Sequence, residues 1–342
     1  MLAMPLVRVF WGHPFLQFFR DAGALVDRHL EEARVVADVD RCPEVAFPSR
    51  PLYGVIDRLA HESGRRDVGL QVGERTRIRD LGSFGRRIAD QETLADAVAT
   101  AQRLMPSVHT ARQVTLSTTG RVARLSSRLG DGQLAPTLWG DQFALSVLIK
   151  LVRLAAGSDW TPERVTLQAQ PPGNSRSGGL LAGTTVRYGA DSTSIELPRA
   201  LLSCHLGPAR GRGFDRTAPR HPDVDLEALP TDFVGSLQVT LDALVSQGYI
   251  DIRSLASFVG LSMRTLQRRL SENGQSFSEV LARSRFTLAR RRFLDPAAKV
   301  IDVAFEAGYS DPTHFTRAFR SWTGVTPAVY RAAVRASPSA QA

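Results

Sequence analysis

Two short runs near the C-terminus carry side chains whose types and spacing suit the edges of base pairs. One holds Ser262, Arg264, Thr265, Gln267, Arg268 and Ser271; the other holds Thr313, His314, Thr316, Arg317 and Arg320. Arginine presents two parallel N–H donors that match O6 and N7 of guanine, and glutamine matches N6 and N7 of adenine. Serine and threonine hydroxyls serve phosphate oxygens or bases. On a helix, at about 100° per residue, Arg264, Gln267, Arg268 and Ser271 fall on one side, and Met263, Leu266 and Leu270 fall on the other. In the second run Thr313, Thr316, Arg317 and Arg320 lie opposite Phe315, Phe319 and Trp322, with His314 on the flank. An arginine-rich face on one isolated helix is ordinarily just solvated. Two such faces on two similar motifs point to double-stranded DNA.

The elements that must position these faces repeat. Ser254–Ser262 and Asp302–Asp311 each read as a short amphipathic helix, a turn at Gly260 or Gly308, and a capping residue, Ser262 or Asp311. A second helix follows each, so the pattern is a helix-turn-helix written twice. Ala256 and Ala304 mark a repeat of 48 residues, which lets one chain reach two turns of DNA. A linking helix is expected from about Ser278 to Leu294, roughly 25 Å long at 1.5 Å per residue. Its Arg283, Arg285, Arg290, Arg291 and Arg292 cannot all face one groove, so some must pair with acids or stay in water. Before the first motif, Val234, Leu237, Leu241, Leu244 and Val245 outline a further helix, stopped by Gly248.

These residues resemble the DNA-binding domain of the AraC/XylS family of transcription regulators. The resemblance runs over about residues 231–335. It is carried by Ala304, Gly308-Tyr309-Ser310-Asp311, Phe315–Arg320, Trp322–Pro327 and Tyr330-Arg331, and by Leu261-Ser262 with Arg264–Leu270 in the first repeat. It implies seven helices, one recognition helix per repeat, and DNA contacts from Arg264, Gln267, Arg268, Thr313, His314 and Arg317. Pro312 stands where many members carry a side chain able to touch DNA.

The rest of the 342 residues is of another kind. Gly207–Pro230 alternates Gly and Pro with Arg210, Arg212, Arg216 and Arg220 and reads as a linker. Residues 336–342 read as a disordered tail. Within 1–206, helices are expected over Gly12–Ala33, Pro51–Ser63, Thr93–Met105 and Thr137–Ala156. A hairpin is expected from Gln113–Ser117 and Val122–Ser126, and short strands at Arg164–Gln168, Thr185–Tyr188 and Ser194–Leu197. The fold class is therefore an α+β N-terminal domain, with an antiparallel sheet, followed by an all-α domain with two helix-turn-helix motifs. Asp67–Leu70 with Gly73, Leu81–Gly85 and Glu92–Ala97 resemble the arabinose-binding-type N-terminal domain of regulators similar to the ornithine utilisation activators. That resemblance implies a small-molecule effector or dimerisation, and it identifies no pocket residues.

Charge agrees without deciding the matter. The formal net charge is +9, and residues 231–342 hold 14 basic and 9 acidic side chains. No apolar run reaches the roughly 18–20 residues of a membrane span, and no signal peptide is evident at Met1–Arg8. Cys42 and Cys204 match no disulfide or metal spacing, which fits a reducing cytoplasm. Two alternatives to an effector-switched regulator remain open at this point. One is a ligand-independent DNA binder whose first domain only dimerises. The other is a DNA-modifying enzyme, for which Cys204-His205 is the one attractive nucleophile–base pair; neighbours in sequence rarely face each other productively, and a small core cysteine is the simpler reading. His13, His29, His61, His109 and His221 show no metal-ligand spacing. No catalytic residue, metal or cofactor is expected. The expected partners are operator DNA, a small-molecule effector, a second copy of the chain and RNA polymerase.

Overall fold

From Pro5 to Leu229 helices and strands intermingle; from Pro230 on, every described element is a helix, and Ala3 and Met4 join this second unit. The computed structural model describes residues 3–35, 45–130, 134–170, 181, 183–207, 226–245, 248, 250–295 and 297–336. Cys42, His221, residues 208–225 of the expected linker, most of Pro171–Gly183 and the tail from 337 on lie outside the described residues.

In the first unit, β1 (Leu6–Arg8) pairs antiparallel with β2 (Ala46–Pro48). The single helix expected over Gly12–Ala33 is two, α1 (His13–Asp21) and α2 (Val26–Glu32). They are broken where Gly23 takes φ +81, a left-handed conformation that ends the first helix. Then come α3 (Ser49–Glu62), α4 (Val68–Arg75), α5 (Gly82–Ala89) and α6 (Leu94–Val108). The Thr93 hydroxyl caps α6 by accepting from the Asp96 amide at 3.2 Å. Strands β3 (Arg112–Thr119) and β4 (Val122–Leu129) form the expected hairpin. Its two-residue turn starts at Gly120 with φ +59, which a type II′ turn requires. Next, α7 (Leu138–Ala156) buries most of its length, and its N-terminus is capped by Thr137.

Three strands complete the sheet: β5 (Arg164–Thr166), β6 (Thr185–Arg187) and β7 (Thr193–Pro198). The order is β3-β4-β7-β5-β6. The sheet is mixed rather than antiparallel, because β5 and β6 run parallel; three-residue strands carry no directional signal of their own. One face of the sheet packs on α7, and α4 lies against α7 at very close range. A Cβ at Gly69 would stand 2.0 Å from the Trp139 carbonyl oxygen, and one at Gly73 would stand 2.3 Å from the Ser146 Cβ.

The second unit has seven helices among its described residues: α8 (Phe233–Val245), α9 (Ile252–Phe258), α10 (Met263–Glu272), α11 (Phe277–Arg292), α12 (Val300–Glu306), α13 (Pro312–Thr323) and α14 (Pro327–Ala336). They enclose two cores. In the first, Leu237 and Leu241 of α8, Leu255 of α9, Leu266 and Leu270 of α10 and Val280 of α11 meet, joined by Met4. The Met4 amide also donates to the Ser236 hydroxyl at 3.0 Å. In the second, Ala289 of α11 and Phe293 just beyond its end pack with Val303 and Ala304 of α12 and Phe315 and Phe319 of α13. Helix α11 therefore serves both cores. It starts with a capping box in which Ser276 and Glu279 each bond the other's backbone amide.

Candidate nucleic-acid interface

Each reading helix is set by the same local chemistry. After α9, the Gly260 amide donates to Ser257 O and the Leu261 amide to Ala256 O; after α12, Gly308 donates to Phe305 O and Tyr309 to Ala304 O. These bonds recur at the same 48-residue offset. Gly260 and Gly308 take φ +70 and +76, where a side chain would be strained. The offset then changes. The buried pair of α10 is Leu266 and Leu270, that of α13 is Phe315 and Phe319, so from the caps onward the copies are 49 residues apart. The second turn holds one extra residue, and Asp311 rather than Ser310 caps α13, accepting from the Thr313 amide at 2.7 Å. In α10 the Ser262 hydroxyl accepts from the Thr265 amide at 3.1 Å.

With both cores filled, the opposite faces stand in solvent. Arg264, Gln267, Arg268 and Ser271 are exposed on α10, as are Thr313, His314, Arg317 and Arg320 on α13; Ser262 is exposed at its cap. Thr265 and Thr316 are half-buried with their hydroxyls engaged: Thr265 Oγ1 lies 2.8 Å from Ser262 Oγ, and Thr316 Oγ1 donates to Pro312 O at 2.9 Å. Arg268 rests against Glu272, one turn on, at 2.9 Å. Met263, expected inside, is 39% exposed, because the first residue of α10 overhangs the core that Leu266 fills. Trp322 is half-buried at the edge of the second core.

The arginines of α11 divide as their crowding demands. Arg292 pairs with Glu306 of α12, and Arg283 donates to Gln238 Oε1. Arg285 donates to Gly308 O at 3.2 Å, with its guanidinium 4.6 Å from the centre of the Tyr309 ring. It thereby fixes the second turn to the linking helix, a positioning role that the sequence does not announce.

The first unit offers different chemistry. Tyr53 Oη lies 2.8 Å from His109 Nε2 in its interior, and burial pushes the imidazole down to about 3. Burial also raises Tyr53 and Asp141. Arg112 donates to Ser127 Oγ at 2.9 Å, and Asp141 accepts from the Ala169 amide at 2.7 Å. Cys204 is half-buried, not a core residue, and its thiol points to Ala200 O at 3.7 Å. No group of three metal-ligating side chains occurs among the described residues, and no described helix is long and apolar enough to cross a membrane.

Residues 23–206 match the family described as the arabinose-binding domain of AraC transcription regulator, N-terminal, and residues 255–333 match a helix-turn-helix domain family. The chain is 24% identical over 338 residues to the HTH-type transcriptional regulator VirS of Mycobacterium tuberculosis, covering 94% of each. It is 22% identical over 333 residues to the ornithine utilization regulator of Pseudomonas aeruginosa, covering 96% of this chain and 97% of that one. Among solved structures, the transcriptional regulator CdpR from Pseudomonas aeruginosa shares 21% identity over 90% of this chain and 96% of that chain, with a TM-score of 0.35.

Proposed function

Since this chain belongs to the AraC family of transcription regulators, we propose that it reads an operator with both recognition helices and is switched by a small molecule held in its N-terminal unit. It is a DNA-binding transcription regulator, and its matched families and named relatives are regulators rather than enzymes. The division of labour we assign is 1–206 for effector binding and dimerisation, 207–230 for the linker and 231–335 for DNA. The exposed polar faces of α10 and α13, each backed by a filled core, carry this reading.

Arg264, Gln267 and Arg268 take base edges in one major-groove segment, and Arg317 takes them in the next. Thr313, His314, Ser271 and Arg320 flank these and serve phosphates or neighbouring bases. Ser262 holds the start of α10 against the backbone, while Thr265 and Thr316 shape the helices rather than read. A homodimer in the cytoplasm, contacting RNA polymerase from its bound operator, completes the assignment.

Genome-wide mapping of bound DNA supplies the operator, and the full-length protein is then titrated on it. Arg268→Ala and Arg317→Ala are each expected to cost about 1–3 kcal/mol, with relaxed choice at one base position. Equal losses on operator and random DNA would reassign them to phosphate.

A further inference from the structure

Resting on the homodimer assigned above, we infer that two copies of this chain join through the outer edge of β3. Their five-stranded sheets then run on as one across a two-fold axis at Leu116. Strand β3 is one end of the order β3-β4-β7-β5-β6. Its register with β4 settles which backbone groups face outward. Thr119 and Val122 close a two-residue turn, and such a closing pair is a hydrogen-bonded one. Gln113, Thr115, Ser117 and Thr119 therefore bond to β4. The Arg199 amide, which donates to Arg121 O at 2.9 Å, agrees, because it sets the odd-numbered residues of β4 towards β7. Val114, Leu116 and Thr118 thus aim their N–H and C=O groups away from β4. Among the described residues no partner takes those three amides.

Proteins ordinarily blunt such an edge with charge, proline, a bulge or a short strand. The opposite end of this sheet is blunted: β6 is three residues long and finishes at the exposed Arg187. Strand β3 has eight residues and pairs with β4 one for one, without a bulge. From Gln113 to Thr119 it holds no charge and no proline. Val114 and Leu116, on the same face as the buried Ala123 and Leu125 of β4, are only half-buried. The occupant that fits this edge is the same strand of a second copy. Antiparallel pairing centred on Leu116 sets Val114 opposite the partner's Thr118 and Thr115 opposite the partner's Ser117, so each outward amide meets an outward carbonyl. The axis stands perpendicular to the sheet. It keeps the apolar side chains of both copies on one face, where they cover each other, and the exposed Thr115 and Ser117 hydroxyls on the other. An uncharged strand also meets its own copy without like-charge repulsion.

The test is sedimentation velocity on the full chain without DNA, with melting temperature to confirm folding. Thr118→Pro removes one outward donor and leaves the ladder to β4 intact, since that amide takes no part in it. It should weaken dimerisation at least tenfold. Thr115→Glu/Ser117→Glu sets acid opposite acid across the junction and should do the same. Thr115→Glu/Ser117→Lys sets acid opposite base and should dimerise at least tenfold more tightly than the acid pair. Within one chain Ser117 stands opposite Arg124, so an effect on the fold of the monomer alone would run the other way. The edge is overturned if a folded Thr118→Pro chain or the acid pair dimerises as the unaltered chain does, or if the acid–base pair is no tighter than the acid pair. Dimers of the unaltered chain then leave the homodimer standing on another surface. An unaltered chain that stays monomeric at every concentration overturns the homodimer and the edge together, and leaves β3 to a strand of another protein.

Discussion

The two reading heads share a frame and differ in what they present. Aligned on their buried pairs, Leu266/Leu270 and Phe315/Phe319, Arg264 corresponds to Thr313, Gln267 to Thr316, Arg268 to Arg317 and Ser271 to Arg320. Only Arg268 and Arg317 keep the same chemistry. The first head shows three side chains capable of paired hydrogen bonds to a base. In the second, the Thr316 hydroxyl donates its proton to Pro312 O and is left only to accept, the cap is an anion, and arginine stands at two positions. The cores differ in the opposite sense. The first is mostly aliphatic, with Phe233 its one fully buried ring, whereas Phe319 touches the rings of Phe286, Phe293, Phe315, Trp322 and Tyr330. On the contacts proposed above, the first head discriminates between bases and the second anchors.

The largest expected effect breaks the anchorage. Phe319→Ala should cost about 3–5 kcal/mol in urea denaturation of the full chain, and the equivalent Leu270→Ala should cost less. The reverse order would show that the aromatic stack is not what holds the second head. Next, Gln267→Ala should relax base choice at one operator position at about 1–3 kcal/mol, measured by competition titration. Thr316→Ala, its counterpart, should leave base preference unchanged.

Acid sharpens the contrast by acting outside both heads. His109 stays neutral down to about pH 3 when folded, whereas an unfolded histidine takes up a proton near pH 6.5. Stability from this group is therefore complete above about pH 6.5, and it falls by about 1.4 kcal/mol per pH unit as pH drops towards 3. Going from pH 7 to pH 5 should cost the N-terminal unit about 2 kcal/mol, and His109→Gln should flatten that dependence in urea melts at the two pH values. His314, the histidine of the second head, is exposed. The smallest effect is at the caps: Ser262→Ala should lower stability by about 1 kcal/mol, and Asp311→Ala should lower it in the same direction. The aspartate variant should also bind random DNA more tightly in anisotropy titrations, since it removes a negative charge beside the helix proposed to enter the groove.

Much of the DNA-binding unit is legible in the sequence because its signals are local. Helical spacing gives the buried pairs, glycine marks the turns, and the caps precede each reading helix. The caps Ser262 and Asp311 are legible too, although they stand 49 residues apart where the glycines stand 48 apart. Met263 has the right spacing for the core but stands at a helix start, where spacing overstates burial. The N-terminal unit hides more. Helices α4 and α5 contain Gly69, Gly73, Gly82 and Gly85, which lower helix propensity, and at Gly69 and Gly73 close packing on α7 outweighs that cost. The pairing of β1 with β2 joins segments far apart in the chain, so no periodicity reveals it.

Because α11 is a structural wall of both cores, the heads cannot swivel against one another without opening one of them. That turns a packing arrangement into a constraint on the operator's helical phase. Five base pairs inserted between the two recognised segments would carry the second about half a turn around the duplex, to the side facing away from the protein. A full turn of insertion would restore the facing but displace the segment by about 34 Å along the axis, beyond the reach of a helix about 24 Å long. With both heads reading as proposed, a change of spacing should weaken binding more than a single base change, so the distance between the two half-contacts would be as much a part of the recognised word as the letters.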